Sequence, residues 1–194
     1  MVSISRRAAA LVLGACLAAP AWAADAPRVK LATSAGDIVL ELYPDKAPKT
    51  VENFLQYVRD KHYDGTIFHR VIDGFMIQGG GMDRNMAQKK TRAPVAHEGR
   101  EAHAKGLRNE AGMVAMARTS DPDSATSQFF INVADNKRTL DPPGENAPGY
   151  TVFGRVVSGM DVVNKVKGVP TGRSGPHGDV PVTPIVINSA TLVR

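Results

Sequence analysis

The chain has one cysteine in 194 residues, Cys16, and it lies in an N-terminal stretch that reads as a leader. Once that leader is gone no thiol is left, which excludes disulfides, thiolate nucleophiles and cysteine-based metal sites. Stability then has to come from a packed core. Long hydrophobic runs are also missing. The one apolar stretch, Ala8 to Ala19, is too short to span a membrane comfortably. Charge is modest: the +5 net falls to +3 without Arg6 and Arg7, the two charged residues of the leader, too mild a surplus to argue for nucleic acid. Basic residues are scattered except in Gln88-Lys89-Lys90-Thr91-Arg92, which reads as a solvated loop. Internal repeats and low-complexity tracts are absent after the leader.

Motifs for several chemistries are incomplete. His97-Glu98 with Glu101 and His103 lacks the one-turn spacing of a zinc peptidase helix, since its histidines are six apart in a segment without helical pattern. Gly79-Gly80-Gly81 has no following Gly-Lys-Ser/Thr and reads as a bend or a close backbone approach rather than a phosphate loop. Ser124 and Ser127 occupy no Gly-x-Ser-x-Gly elbow, and no spacing ties them to His69 and Asp73 as a hydrolase triad. No metal and no cofactor is expected.

Arg6 and Arg7, the apolar run, Pro20 and Ala21-Trp22-Ala23 have the order of an export signal cleaved after Ala23. Residues 1–23 are thus expected to be a signal peptide and 24–194 one exported domain, periplasmic in a bacterium. Lipid anchoring at Cys16 is the minor alternative: Leu13-Gly14-Ala15-Cys16 resembles a lipoprotein box, but the residues after it stay apolar.

Beyond the leader, Val29, Leu31 and Thr33, then Ile38, Leu40 and Leu42, alternate about a small-residue turn and predict a hairpin. A helix is expected from the Asp45–Pro48 region, with Val51, Phe54, Leu55 and Val58 as its apolar stripe. Strands are predicted at 66–72, 75–78, 112–117, 128–133, 151–156 and 184–193, and a second helix at 160–166. Residues 79–109 show little periodicity and read as a long loop. Many short strands with two isolated helices predict an all-β fold, a closed barrel with helical lids. In a barrel, Phe129 and Phe130 must face opposite ways, one into the interior and one onto an outer surface.

The most telling stretch is Phe68-His69-Arg70-Val71-Ile72-Asp73-Gly74-Phe75-Met76-Ile77-Gln78-Gly79-Gly80. It sets a permanent cation among apolar residues, which suits a neutral ligand with a weak acceptor, such as a proline ring beside an amide. With Gly112-Met113-Val114-Ala115-Met116-Ala117, Ser127-Gln128-Phe129-Phe130-Ile131 and Val152-Phe153-Gly154-Arg155-Val156, it resembles the cyclophilin family of peptidyl-prolyl cis-trans isomerases, in order over nearly the whole mature chain. The combination is similar to the exported bacterial branch.

The resemblance implies an eight-stranded antiparallel β-barrel capped by two α-helices. It implies Arg70 as catalytic arginine, Phe75, Met76, Phe130 and Leu140 as the proline pocket, and Gln78 and Gln128 as polar groups flanking the substrate backbone. Gln78 would orient Arg70 or bind a substrate carbonyl. Ala117, Arg118 and Thr119 match the peptide-binding edge strand, where Arg118 replaces an asparagine and is expected to act through backbone groups. Tyr150 stands where the family has a histidine. Thr139 stands where it has a tryptophan, which implies weak cyclosporin binding. The implied partners are proline-containing peptides and unfolded exported proteins, met by a monomer that does not stay in a membrane. A non-catalytic peptide-binding module remains the alternative.

Overall fold

A computed structural model of the chain describes residues 26–142 and 147–193. The expected leader, with Cys16, lies outside them, as do residues 143–146 of the Pro/Gly-rich stretch. Among the described residues no helix is long and apolar enough to cross a membrane.

The hairpin forms as β1 (Arg28–Thr33) and β2 (Gly36–Leu42), in register from Arg28 opposite Glu41 to Thr33 opposite Gly36. The alternating apolar residues point inward: Val29, Leu31, Ile38, Leu40 and Leu42 are fully buried. Helix α1 (Pro48–Arg59) starts at its proline, where the missing N–H costs nothing, and buries Val51, Phe54, Leu55 and Val58. Its Ala47 cap offers no side chain. Glu98 supplies one from the middle of the chain, accepting from Lys49 N (3.1 Å), Thr50 N (2.8 Å) and Thr50 Oγ1 (2.8 Å). The glutamate of the pseudo-zinc motif is therefore a helix cap.

Strands β3 (Thr66–Ile72), β4 (Met76–Asp83), β5 (Met113–Met116), β6 (Phe129–Asn132), β7 (Val152–Ser158) and β10 (Ile187–Val193) complete an antiparallel eight-stranded sheet in the order β10-β1-β2-β7-β5-β6-β4-β3. Its outer edges meet without a full ladder. Gly65 N donates to Ile187 O (2.8 Å), Phe68 N to Ile185 O (2.9 Å), and Ile67 bridges to Val186. The barrel is thus stitched at this seam rather than continuously hydrogen-bonded. A separate hairpin, β8 (Thr171–Ser174) and β9 (His177–Pro181), lies against β3. Helix α4 (Met160–Lys167) packs on β2, β3 and β4.

The interior is aromatic. Phe54, Tyr63, Phe68, Phe129 and Phe153 are fully buried, with Phe129 edge-on to both Phe54 and Tyr63 at 5.5 Å between centroids.

Residues 79–109 are not one long loop. β4 continues through Gly79, Gly80 and Gly81, because larger residues would collide there: a Cβ on Gly80 (φ +84°) would lie 2.8 Å from Tyr63, and one on Gly81 2.4 Å from Gln128. Glycine runs carry no alternation, so this strand half was silent in the sequence. Gly99–Ala104 forms helix α2, too short to show a stripe. Helix α3 (Lys137–Leu140) and the β8–β9 hairpin were likewise unforeseen. The basic cluster is partly tied down: Lys89 Nζ donates to Asp64 O (3.2 Å) and Arg92 Nε to Asp60 Oδ2 (2.9 Å).

Candidate active site

Strand register builds the site. Arg70 of β3 pairs with Gln78 of β4, and Gln78 pairs with Phe130 of β6, so three chemically different side chains line up across three strands. Alternation splits the two adjacent phenylalanines: Phe129 fills the interior and Phe130 reaches the outer face. Likewise Arg70 is exposed while His69 is buried. Burial, and next the His177 charge, lower the His69 pKa to about 4. So enclosed and so weakly basic an imidazole is poorly suited to serve a hydrolase as general base.

Arg70, Phe75, Met76, Gln78, Ala117, Arg118, Phe130, Leu140 and Tyr150 surround one cavity of about 160 Å³. Phe75, Met76, Phe130 and Leu140 give the lining its apolar side chains, and Arg70, Gln78 and Arg118 give it polar ones. Arg70 keeps its side chain 46% exposed, and its ion partner is an exposed carboxylate, Asp179 Oδ2 at 3.9 Å from Nε. So long a contact leaves the guanidinium donors available to a ligand. Tyr150 stands edge-on to Phe130 at 5.6 Å and carries the Arg118 guanidinium over its ring, 4.5 Å from the centroid.

Arg118 departs from expectation. Its side chain is engaged in the site, donating from Nε (3.1 Å) and Nη2 (2.8 Å) to Gly149 O and from Nη1 to Thr119 O (2.8 Å). An arginine fork grips a carbonyl as no asparagine would, and that outcome depends on a loop remote in sequence. The expected edge strand is also shorter: β5 ends at Met116, and Ala117–Thr119 run on beyond it, held by Ala117 N to Gln128 O (3.0 Å) and Thr119 N to Ser124 Oγ (2.9 Å).

Thr119 and Gln128 line a neighbouring cavity of about 290 Å³ that shares Gln78, Ala117 and Arg118 with the first. Gln78 Nε2 donates to Gln128 Oε1 (2.9 Å), so the hydrogen bond it makes is to the other glutamine rather than to Arg70. Thr139 is exposed on α3 and does not line the cup. Among the described residues no group of three or more His, Cys, Asp or Glu is placed to hold a metal ion.

The family model described as "Cyclophilin type peptidyl-prolyl cis-trans isomerase/CLD" matches residues 28–192. The chain is 60% identical over 168 residues to peptidyl-prolyl cis-trans isomerase cyp18 of Streptomyces antibioticus, covering 85% of this chain and 98% of the relative. It is 55% identical over 162 residues to peptidyl-prolyl cis-trans isomerase B of Escherichia coli, covering 82% and 96%. In three dimensions it is similar to a cyclophilin type isomerase of Cryptosporidium parvum, with a TM-score of 0.68, 24% identity, and 87% and 98% of the two chains covered. The same Cryptosporidium protein crystallised in the presence of the dipeptide Ala-Pro gives a TM-score of 0.66 at 25% identity, covering 86% and 99%. The chain belongs to the cyclophilin-type peptidyl-prolyl cis-trans isomerases.

Proposed function

We propose that Arg70 is the catalytic group of this isomerase, acting on an X-Pro bond whose ring sits in the cup of Phe75, Met76, Phe130, Leu140 and Tyr150. A peptide bond resists rotation by ~18–20 kcal/mol because the nitrogen lone pair is delocalised into the carbonyl. At X-Pro the two isomers are close in energy, yet exchange takes tens to hundreds of seconds. Catalysis needs neither nucleophile nor cofactor. It needs the ring gripped, the flanking chain held and the twisted amide favoured over both planar forms.

Twisting returns the lone pair to nitrogen and makes it a better acceptor. A fixed donor aimed there strengthens in the transition state more than in either ground state. The observation that carries this reading is the half-exposed guanidinium of Arg70 lining one cavity of about 160 Å³ with Phe75, Met76, Phe130, Leu140 and Tyr150. Gln78, Gln128 and the Ala117–Thr119 segment would hold the flanking peptide in the adjoining space.

Arg70→Ala is expected to keep the fold and lower kcat/KM on a short proline peptide by about a hundredfold, the scale of losing one transition-state donor. Arg70→Lys is expected to be poor too, because an ammonium lacks the planar fork. Turnover equal to wild type in Arg70→Ala would end the assignment.

The clients, on this reading, are exported chains, met by a monomer in the periplasm. The leader pattern at 1–23 supports that location. Expression of the full chain with N-terminal sequencing tests it: a mature protein beginning at Ala24 in the periplasmic fraction is expected, and an unprocessed cytoplasmic chain would refute it.

A further inference from the structure

Behind the cup lies a buried polar chain that the catalytic reading leaves unused. Asn109 and Asn132 are fully buried, and Asn136 and Asp141 are 7% and 8% exposed. Asp141 Oδ1 accepts from Asn109 N (2.8 Å) and Asn109 Nδ2 (2.9 Å). Asn109 Oδ1 accepts from Asn132 Nδ2 (3.2 Å), which also donates to Met113 O (3.2 Å). Asn132 Oδ1 accepts from Asn136 Nδ2 (2.7 Å), whose other proton goes to Phe75 O (2.7 Å).

The direction of this chain is set by three groups that only accept: the Asp141 carboxylate, Met113 O and Phe75 O. An ionised carboxylate only accepts, so Asn109 must turn its NH2 toward Asp141 and its oxygen toward Asn132. Asn132 must then present its NH2 to Asn109, and its oxygen to Asn136. That leaves Asn136 with both protons outward, one for Asn132 and one for the Phe75 carbonyl. Three amides, each able to flip in isolation, have a single consistent orientation. The carboxylate's Oδ2 lies 4.0 Å from the Arg108 Nε and 3.9 Å from His103 Nε2.

Asn136 also holds the opposite wall. Its backbone carbonyl accepts from Leu140 N (2.9 Å), and Leu140 O accepts from Tyr150 N (2.9 Å). Asn136, which does not line the cavity, thus bonds Phe75 through its side chain, alongside Val133 N (3.0 Å), and Leu140 through its backbone, and Leu140 in turn holds Tyr150. We propose that Asn136 is the positioning residue of the proline cup, and that Asn109, Asn132 and Asp141 hold its amide in the donating orientation. The proposal rests on the cup being the proline site.

Asn136→Asp keeps size and backbone but sets an acceptor against two acceptors, Phe75 O and Asn132 Oδ1. Only its protonated form can donate, and burial raises a carboxyl pKa. KM for a proline peptide is expected to rise about fivefold at neutral pH, the scale of one net hydrogen bond, with kcat changing less. The gap to wild type, measured at each pH, is expected to narrow as pH falls and the carboxyl regains its proton. Asn136→Ala, which removes the side-chain donor to Phe75 O altogether, is expected to raise KM in the same sense and carries the test if Asn136→Asp does not fold. A control such as Leu31→Val, in β1, which pairs with no strand carrying a cup residue, is expected to show that lost stability alone leaves KM unchanged. Wild-type KM in both Asn136 variants, or a KM defect in Asn136→Asp independent of pH, would overturn the positioning role. If the wild type bound peptide without turning it over, the catalytic reading would fall. The same variants would then be read by NMR titration, where an unchanged Kd overturns the proposal. A wild type that binds no proline peptide overturns both.

Discussion

His69 gives the sharpest thermodynamic prediction. It lies next to Arg70 on β3 but points inward and is only 5% exposed. Burial, with the His177 charge second, moves its pKa from the ordinary 6.5 to about 4. A depressed histidine pKa means that the unfolded chain takes up a proton between those values while the folded chain does not. Its stability contribution is therefore complete above pH 6.5 and is lost as pH falls toward 4. With one pKa unit worth about 1.36 kcal/mol, the full loss is about 3 kcal/mol, of which about 2 kcal/mol appears between pH 7.5 and pH 5. Urea unfolding of wild type and His69→Gln across that range isolates the effect, because glutamine fits a polar site but never charges. His62 and His97, also lowered chiefly by burial, titrate in both proteins and cancel. The stability difference is expected to shift in favour of the variant by about 2 kcal/mol on acidification. Parallel pH profiles would show that His69 titrates normally in the fold and would refute its desolvation.

Two further outcomes concern architecture rather than chemistry. Glu98→Ala strips the cap from the start of α1 and leaves buried donors unpaired, so unfolding free energy should fall by about 2–3 kcal/mol in a denaturant titration. Turnover per folded molecule should not change, and a loss of kcat without loss of stability would contradict the cap role. Gly80→Ala forces a side chain into a backbone at φ +84° and a Cβ to within 3.0 Å of Tyr63 and Phe129, so Tm should drop by roughly 5 °C or more in calorimetry. An unchanged Tm would mean that the aromatic core yields easily.

The sequence alone settled what depends on local pattern. The period-two alternation of residues 29–42 could bury its apolar side only as a hairpin, and the stripe Val51, Phe54, Leu55, Val58 only as a helix with proline at its start. The opposite facing of Phe129 and Phe130 followed from strand geometry. The family resemblance supplied the cup residues, and the fold gathers Arg70, Phe75, Met76, Gln78, Ala117, Arg118, Phe130, Leu140 and Tyr150 around one space. What only the tertiary structure decided are matters of long-range partnership. Glycines carry no pattern, so β4 beyond Gln78 became visible only beside Tyr63, Phe129 and Gln128. Arg118 grips Gly149, 31 positions away, and Glu98 caps a helix 48 positions upstream. No sequence pattern links Asn109, Asn132 and Asn136, and only the folded chain joins their amides to one another and to the carboxylate of Asp141. Hydrogen-bond direction belongs to pairs of groups, and which groups meet is fixed by the path of the whole chain.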